Sequence, residues 1–129
     1  MNDAAPAPKP ALRWAGITLS TVATVMVLGS AAMKLTGDPK LVDLLTRQLG
    51  FPASVVPVLG ALELLCIILY AVPLTAPLGA VLLTGYFGGA ITAHVRVEEP
   101  FVAPVVIAAL AWAGLALRNP KVLGLFSRD

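Results

Sequence analysis

Lys34, Glu63 and His94 are the residues whose chemistry is hardest to reconcile with their surroundings, because each lies within or at the end of an otherwise apolar run. A charged side chain at mid-membrane depth costs about 2.5 to 3.5 kcal/mol even on insertion scales, so each of them needs a partner or a task. A lysine and a glutamate can neutralise one another, a glutamate and a histidine can pass a proton, and all three can hydrogen-bond the polar head of a ligand. Pro57 falls in the first turn of its run, which puts Glu63 about two turns below the surface; Lys34 and His94 reach the same level from the ends of neighbouring runs. Three uses stay open: a register lock between helices, a ligand pocket, and a proton relay. Ser30, one turn before Lys34, and Tyr86, Phe87 and Ala90 on the His94 run are the candidate pocket lining.

The elements that must position these groups follow from composition. The chain has 129 residues, 58% of them hydrophobic and 12% charged. A soluble domain carries about 25% charged residues, so no water-facing shell can be built here. Disorder is excluded by the high hydrophobicity and a disulfide scaffold by the single cysteine, Cys66. Four runs, 14–33, 53–72, 74–95 and 101–117, are long enough to cross a hydrocarbon core of roughly 30 Å as helices. They lack the apolar–polar alternation of barrel strands. The expected fold is all-α: a polytopic four-transmembrane-helix bundle over 14–118, preceded by a flexible Pro/Ala-rich leader (1–13) and followed by a short tail (119–129). A cleaved signal peptide is the competing reading of the first run, which exceeds the usual apolar length of about 7 to 15 residues for such a segment.

The connections differ in kind. Pro73 alone separates the second and third runs, making them adjacent and antiparallel. The long first connection opens with Asp38-Pro39 and carries Leu41, Leu44, Leu45 and Leu49 at helical spacing before Gly50-Phe51-Pro52. It is expected to be a short amphipathic helix in the membrane interface, with a solvated connector as the alternative. Gly85, Gly89 and Ala93 form a small-residue stripe expected to serve helix packing, within the chain or in a homo-oligomer. Lys9, Arg13, Arg118, Lys121 and Arg128 on the terminal side outnumber Lys34, Lys40, Arg47 and Arg96 on the other, which puts both termini in the cytoplasm.

Several chemistries lack their residues. There is no C-x-x-C couple for thiol–disulfide exchange, no Cys/His set for a metal, and no second histidine for bis-histidine haem ligation. Phosphate loops, nucleophile elbows and H-E-x-x-H pairs are missing too. No basic patch interleaved with aromatics points to nucleic acid.

Taken in order, Gly29-Ser-Ala-Ala-Met-Lys34-Leu35, Gly50-x-Pro52, Gly60-x-x-Glu63, Gly79 after Thr75-Ala-Pro77, and the run from Gly85 to Arg96 (GYFGGAITAHVR) resemble the DoxX-like family of four-helix bacterial integral membrane proteins. The resemblance covers roughly residues 14–120. It implies a compact bundle in the bacterial cytoplasmic (inner) membrane, with Lys34, Glu63 and His94 at the family's signature polar positions. It also implies an accessory or binding subunit that engages a membrane or redox partner, or a lipophilic ligand such as a quinone or lipid. The alternatives are a quinone-linked membrane subunit of an oxidoreductase complex and a small oligomeric transporter. Without paired cysteines or a cofactor ligand set, the chain is not expected to catalyse alone.

Overall fold

An apolar chain in a bilayer must satisfy its backbone N–H and C=O groups internally, which for continuous apolar runs means helices. The computed structural model describes residues 7–127. Residues 1–6 of the expected leader and Arg128, counted in the charge balance, lie outside the described residues.

Helix α1 (Pro10–Thr36) starts with proline at its first position, where the missing N–H is harmless, so residues 10–13 join the helix instead of the leader. It stops at Gly37, which adopts φ 74° and donates its N–H to Met33 O; Asp38 N reaches the same carbonyl at 2.9 Å. Asp38 then caps α2 (Pro39–Asp43), its carboxylate accepting from Lys40 N and Leu41 N at 3.1 Å each. A π-helical turn, Leu44–Gln48, continues α2 to Gly50 at φ 77°. A 3-10 turn, Ala53–Val55, leads into α3 (Val56–Ala71), and α4 (Ala76–Arg96) and α5 (Val102–Arg118) follow. The helical stretches Pro10–Thr36, Ala53–Ala71 and Ala76–Arg96 are long and apolar enough to cross a membrane, and α5 is a shorter apolar helix of 17 residues. After α5 the chain turns back as a 3-10 helix, Pro120–Leu125, which buries Val122 in the core.

The four long helices close a ring in which α1 packs on α5 and α3, and α4 packs on α3 and α5. Where α1 meets α5, glycine faces glycine: a Cβ on Gly114 would lie 2.7 Å from Ser20 N, and one on Gly16 would lie 2.8 Å from Gly114 O. The backbones touch there, and no side chain fits between them. Beside that contact the Tyr70 hydroxyl lies 2.7 Å from Ala111 O and 2.9 Å from Ser20 Oγ. The carbonyl can only accept, so Tyr70 donates to it and Ser20 donates to Tyr70. Arg118 Nη2 donates to the Tyr70 carbonyl at 3.1 Å, and Trp112 Nε1 donates to Thr84 Oγ1 at 2.7 Å, tying α5 to α3 and α4.

The small-residue stripe on α4 contributes little to packing within the chain. Helix α4 packs inside the chain through Ala76, Gly79, Ala80, Leu83 and Phe87, and of the stripe only Ala93 is buried. A Cβ on Gly85 or Gly89 would meet nothing within 4 Å. Small residues permit close helix approach without enforcing it, and here the opposite face of α4 takes the interface, with Gly79 against the Tyr70 backbone. The glycines at tight helix contacts, Gly16 on α1, Gly60 on α3, Gly79 on α4 and Gly114 on α5, lie far apart in sequence and form no stripe on one helix.

Adding a side chain should therefore have opposite consequences at the two kinds of glycine. Gly114→Val is expected to lower bundle stability by about 2 kcal/mol or more, because the added atoms meet immobile backbone. Gly85→Ala should not lower it. Thermal unfolding of the detergent-solubilised variants distinguishes the two.

Candidate functional site

Lys34 sits in the last turn of α1, where the helix dipole favours a cation. Its ammonium reaches across to α3 and lies 2.7 Å from Glu63 Oε2, with both side chains at least nine-tenths buried. Gly60, one turn before Glu63, makes the approach possible: a Cβ there would lie 2.8 Å from Lys34 Cβ. Ser30, one turn before Lys34, completes the cluster by accepting from Lys34 Nζ at 2.6 Å and donating to Glu63 Oε2 at 3.2 Å. Both bonds to the carboxylate fall on Oε2. The Tyr86 hydroxyl approaches the same carboxylate from α4.

These groups form one wall of a cavity of about 440 Å³ between the four long helices, at the end of the bundle away from the termini. Helix α4 supplies the facing wall with Tyr86, Phe87, Ala90 and His94, together with Gly89 and Ala93 of the stripe. His94 is half-buried, and its Nδ1 lies 2.7 Å from Ala90 O. A carbonyl only accepts, so Nδ1 carries a proton and donates it to Ala90 O. Tyr86 and Phe87 meet edge to face, with ring centroids 5.5 Å apart. The cavity thus brings together Lys34, Glu63, His94, Ser30, Tyr86, Phe87 and Ala90. Its size lies within the range of about 300 to 1,000 Å³ typical of small-molecule sites.

Two groups of lining residues lie outside the sequence-derived site. Leu41, Leu44, Leu45, Leu49 and Phe51 roof the cavity from the first connection, and Ala103, Pro104 and Ile107 of α5 close its side. The leucine spacing on the connection gives the expected short helix, and part of its apolar face packs on the bundle end, where Leu45 and Leu49 bury with Val56. Arg96 Nη2 donates to Leu49 O and fastens the roof to the end of α4.

A second cavity of about 290 Å³ lies toward the terminal end, lined by Ser20, Thr21, Thr24, Tyr70 and Arg118. It contains neither carboxylate nor imidazole. Among the described residues there is no group of three or more His, Cys, Asp or Glu side chains that could hold a metal ion.

The profile of the family described as DoxX-like matches residues 18–114, which contain Lys34, Glu63 and His94. No curated protein and no solved structure matches the chain.

Removing one partner of a buried ion pair leaves the other charge uncompensated. Glu63→Gln alone is expected to destabilise the bundle by about 3 kcal/mol. The paired change Lys34→Met with Glu63→Leu should restore most of the loss, which a double-mutant cycle on thermal stability measures.

Proposed function

The chain belongs to the DoxX-like family, and from that premise together with the roofed cavity we propose that it is a small membrane-embedded binding subunit that holds a lipophilic ligand beside Lys34, Glu63 and His94. The single observation that carries this reading is the union in one cavity of about 440 Å³ of an apolar lining and a convergent polar cluster. The leucines of the roof and Phe87 suit a hydrocarbon body, and the Lys34, Ser30, Glu63 and His94 groups suit a polar head. A register lock alone needs only the ion pair, with no space beside it.

We place the protein in the bacterial inner membrane with both termini in the cytoplasm. Lys9, Arg13, Arg118 and Lys121 lie at the terminal end. At the other end Lys34 is neutralised by Glu63, leaving Lys40, Arg47 and Arg96. A second reading is favoured by the His94 ring sharing a cavity with Glu63. In it the chain is the quinone-binding membrane subunit of an oxidoreductase complex, in which these two groups move protons while a protein partner holds the electron centre.

Ala90→Trp tests the binding reading by filling the cavity from a half-buried position. Native mass spectrometry of the wild-type protein, extracted gently from its own membrane, should show a retained lipophile that the variant lacks. A wild-type protein that carries no adduct under conditions preserving bound phospholipid would overturn the proposal.

A further inference from the structure

We propose that the second cavity, of about 290 Å³ at the terminal end, seats the phosphate of an anionic phospholipid, with the Arg118 guanidinium as its partner. The site is distinct from the cavity beside Lys34, Glu63 and His94 and stands whatever that cavity binds.

Trp14 opens the first apolar run and is exposed on α1, the position of a side chain in the aromatic belt at headgroup level. The Arg118 backbone lies at nearly the same depth, since a Cβ on Gly16, two residues further along α1, would lie 2.5 Å from Arg118 N. From there the guanidinium turns onto α3, with Cζ 5.0 Å from the Tyr70 ring centroid and Nη2 donating to Tyr70 O. Half-buried against the bundle, it stands at about the level of the lipid phosphates.

The partners that the protein itself gives this charge are few. Among the described residues neither ion pair involves Arg118 and no carboxylate lines the cavity. The Tyr70 carbonyl is the one recorded acceptor for its five N–H groups, and Nε is buried without a partner. A partly desolvated cation without a counter-charge is costly, and the planar guanidinium fork fits the oxygens of a phosphate. The neighbouring hydroxyls are already engaged. Thr21 and Thr24 donate to Ile17 O and Ser20 O at 2.8 and 2.7 Å, and Ser20 donates to Tyr70. Arg118 is therefore the group that selects the charge of an occupant.

The cavity is long for a free ion. Ile17, Thr21 and Val25 line it one turn apart, which extends it about 12 Å along α1 from the headgroup level into the apolar span. It opens on the bundle surface, where Thr21 and Val25 are exposed. A phospholipid can place its phosphate at Arg118 and lay an acyl chain along this wall, whereas inorganic phosphate would fill one end. Lys9, Arg13 and Lys121 are exposed at the same end and attract anionic lipid to it. A phosphatidylcholine head brings its own cation against these charges, so it is the poorer ligand.

Native mass spectrometry of the purified full-length protein in dodecyl maltoside, titrated with phosphatidylglycerol, phosphatidylcholine or inorganic phosphate, tests the proposal. Phosphatidylglycerol should bind at least about tenfold more tightly than phosphatidylcholine, as expected for one charge-assisted pair, and millimolar inorganic phosphate should not displace it. In Arg118→Gln that ratio should fall below about threefold. It should fall equally in Thr21→Phe, which fills the cavity from an exposed position and keeps the Arg118 bond to Tyr70 O. Ala90→Trp, which fills the other cavity, should leave the ratio unchanged. Equal affinities for the two lipids in the wild-type protein would overturn the proposal. A preference that survives in either folded variant would assign it to the exposed basic residues and overturn the cavity site. Loss of the preference in Ala90→Trp would move the lipid to the other cavity, and displacement by inorganic phosphate would replace the lipid with the free ion; each overturns the proposal as stated.

Discussion

A lysine and a carboxylate buried on two facing apolar helices hold those helices to one register, since sliding either helix by a turn of about 5.4 Å separates the charges within a low-dielectric interior. In this protein Lys34 and Glu63 impose that condition on α1 and α3. Gly60 removes the side chain that would hold the backbones apart, Ser30 bridges the two charged groups, and the C-terminal end of α1 favours the ammonium. The pair need not add stability over an apolar pair of equal volume. Its consequence is positional: it turns one carboxylate oxygen into the α1–α3 contact and holds the carboxylate at the wall of the cavity, facing α4.

The remainder of the bundle is organised around where contact is tight and where space remains. At the terminal end Gly16 and Gly114 bring the α1 and α5 backbones together, and the Ser20, Tyr70 and Ala111 chain of hydrogen bonds closes the interior. At the opposite end the helices enclose a cavity, which the short connection between α1 and α3 covers. The roof is held by apolar burial of Leu45 and Leu49 and by the Arg96 bond to Leu49 O. The proposed binding role follows from this division, because the polar cluster lies at the end that stays open inside.

Depth along the apolar runs was enough to bring Lys34, Glu63 and His94 to one level, and the residue types were enough to assign them hydrogen-bonding or proton chemistry. Glycine contacts are less legible. Gly85 and Gly89 share one helix and are visible as a spacing, yet they face outward or onto the cavity. Gly16 and Gly114 carry the α1–α5 contact but belong to helices at opposite ends of the chain, and no local pattern joins them. The connection is legible as an amphipathic helix, whereas its cover over the cavity is not, since an apolar helix face looks the same in sequence whether it will meet lipid or protein.

What the sequence by itself determined was the set of helices, their embedding in a bilayer and the identity of the awkward polar groups. Length, hydropathy and the need to satisfy every backbone group in an apolar medium are properties of continuous segments, readable without knowledge of neighbours. Only the tertiary structure decided that Lys34 and Ser30 meet Glu63 at one oxygen, that His94 Nδ1 faces Ala90 O, and that the connection from Leu41 to Phe51 covers the space between them. Those outcomes depend on directions and distances between helices that are remote in the chain, set by close contacts at Gly60 and Gly114 that single segments do not encode.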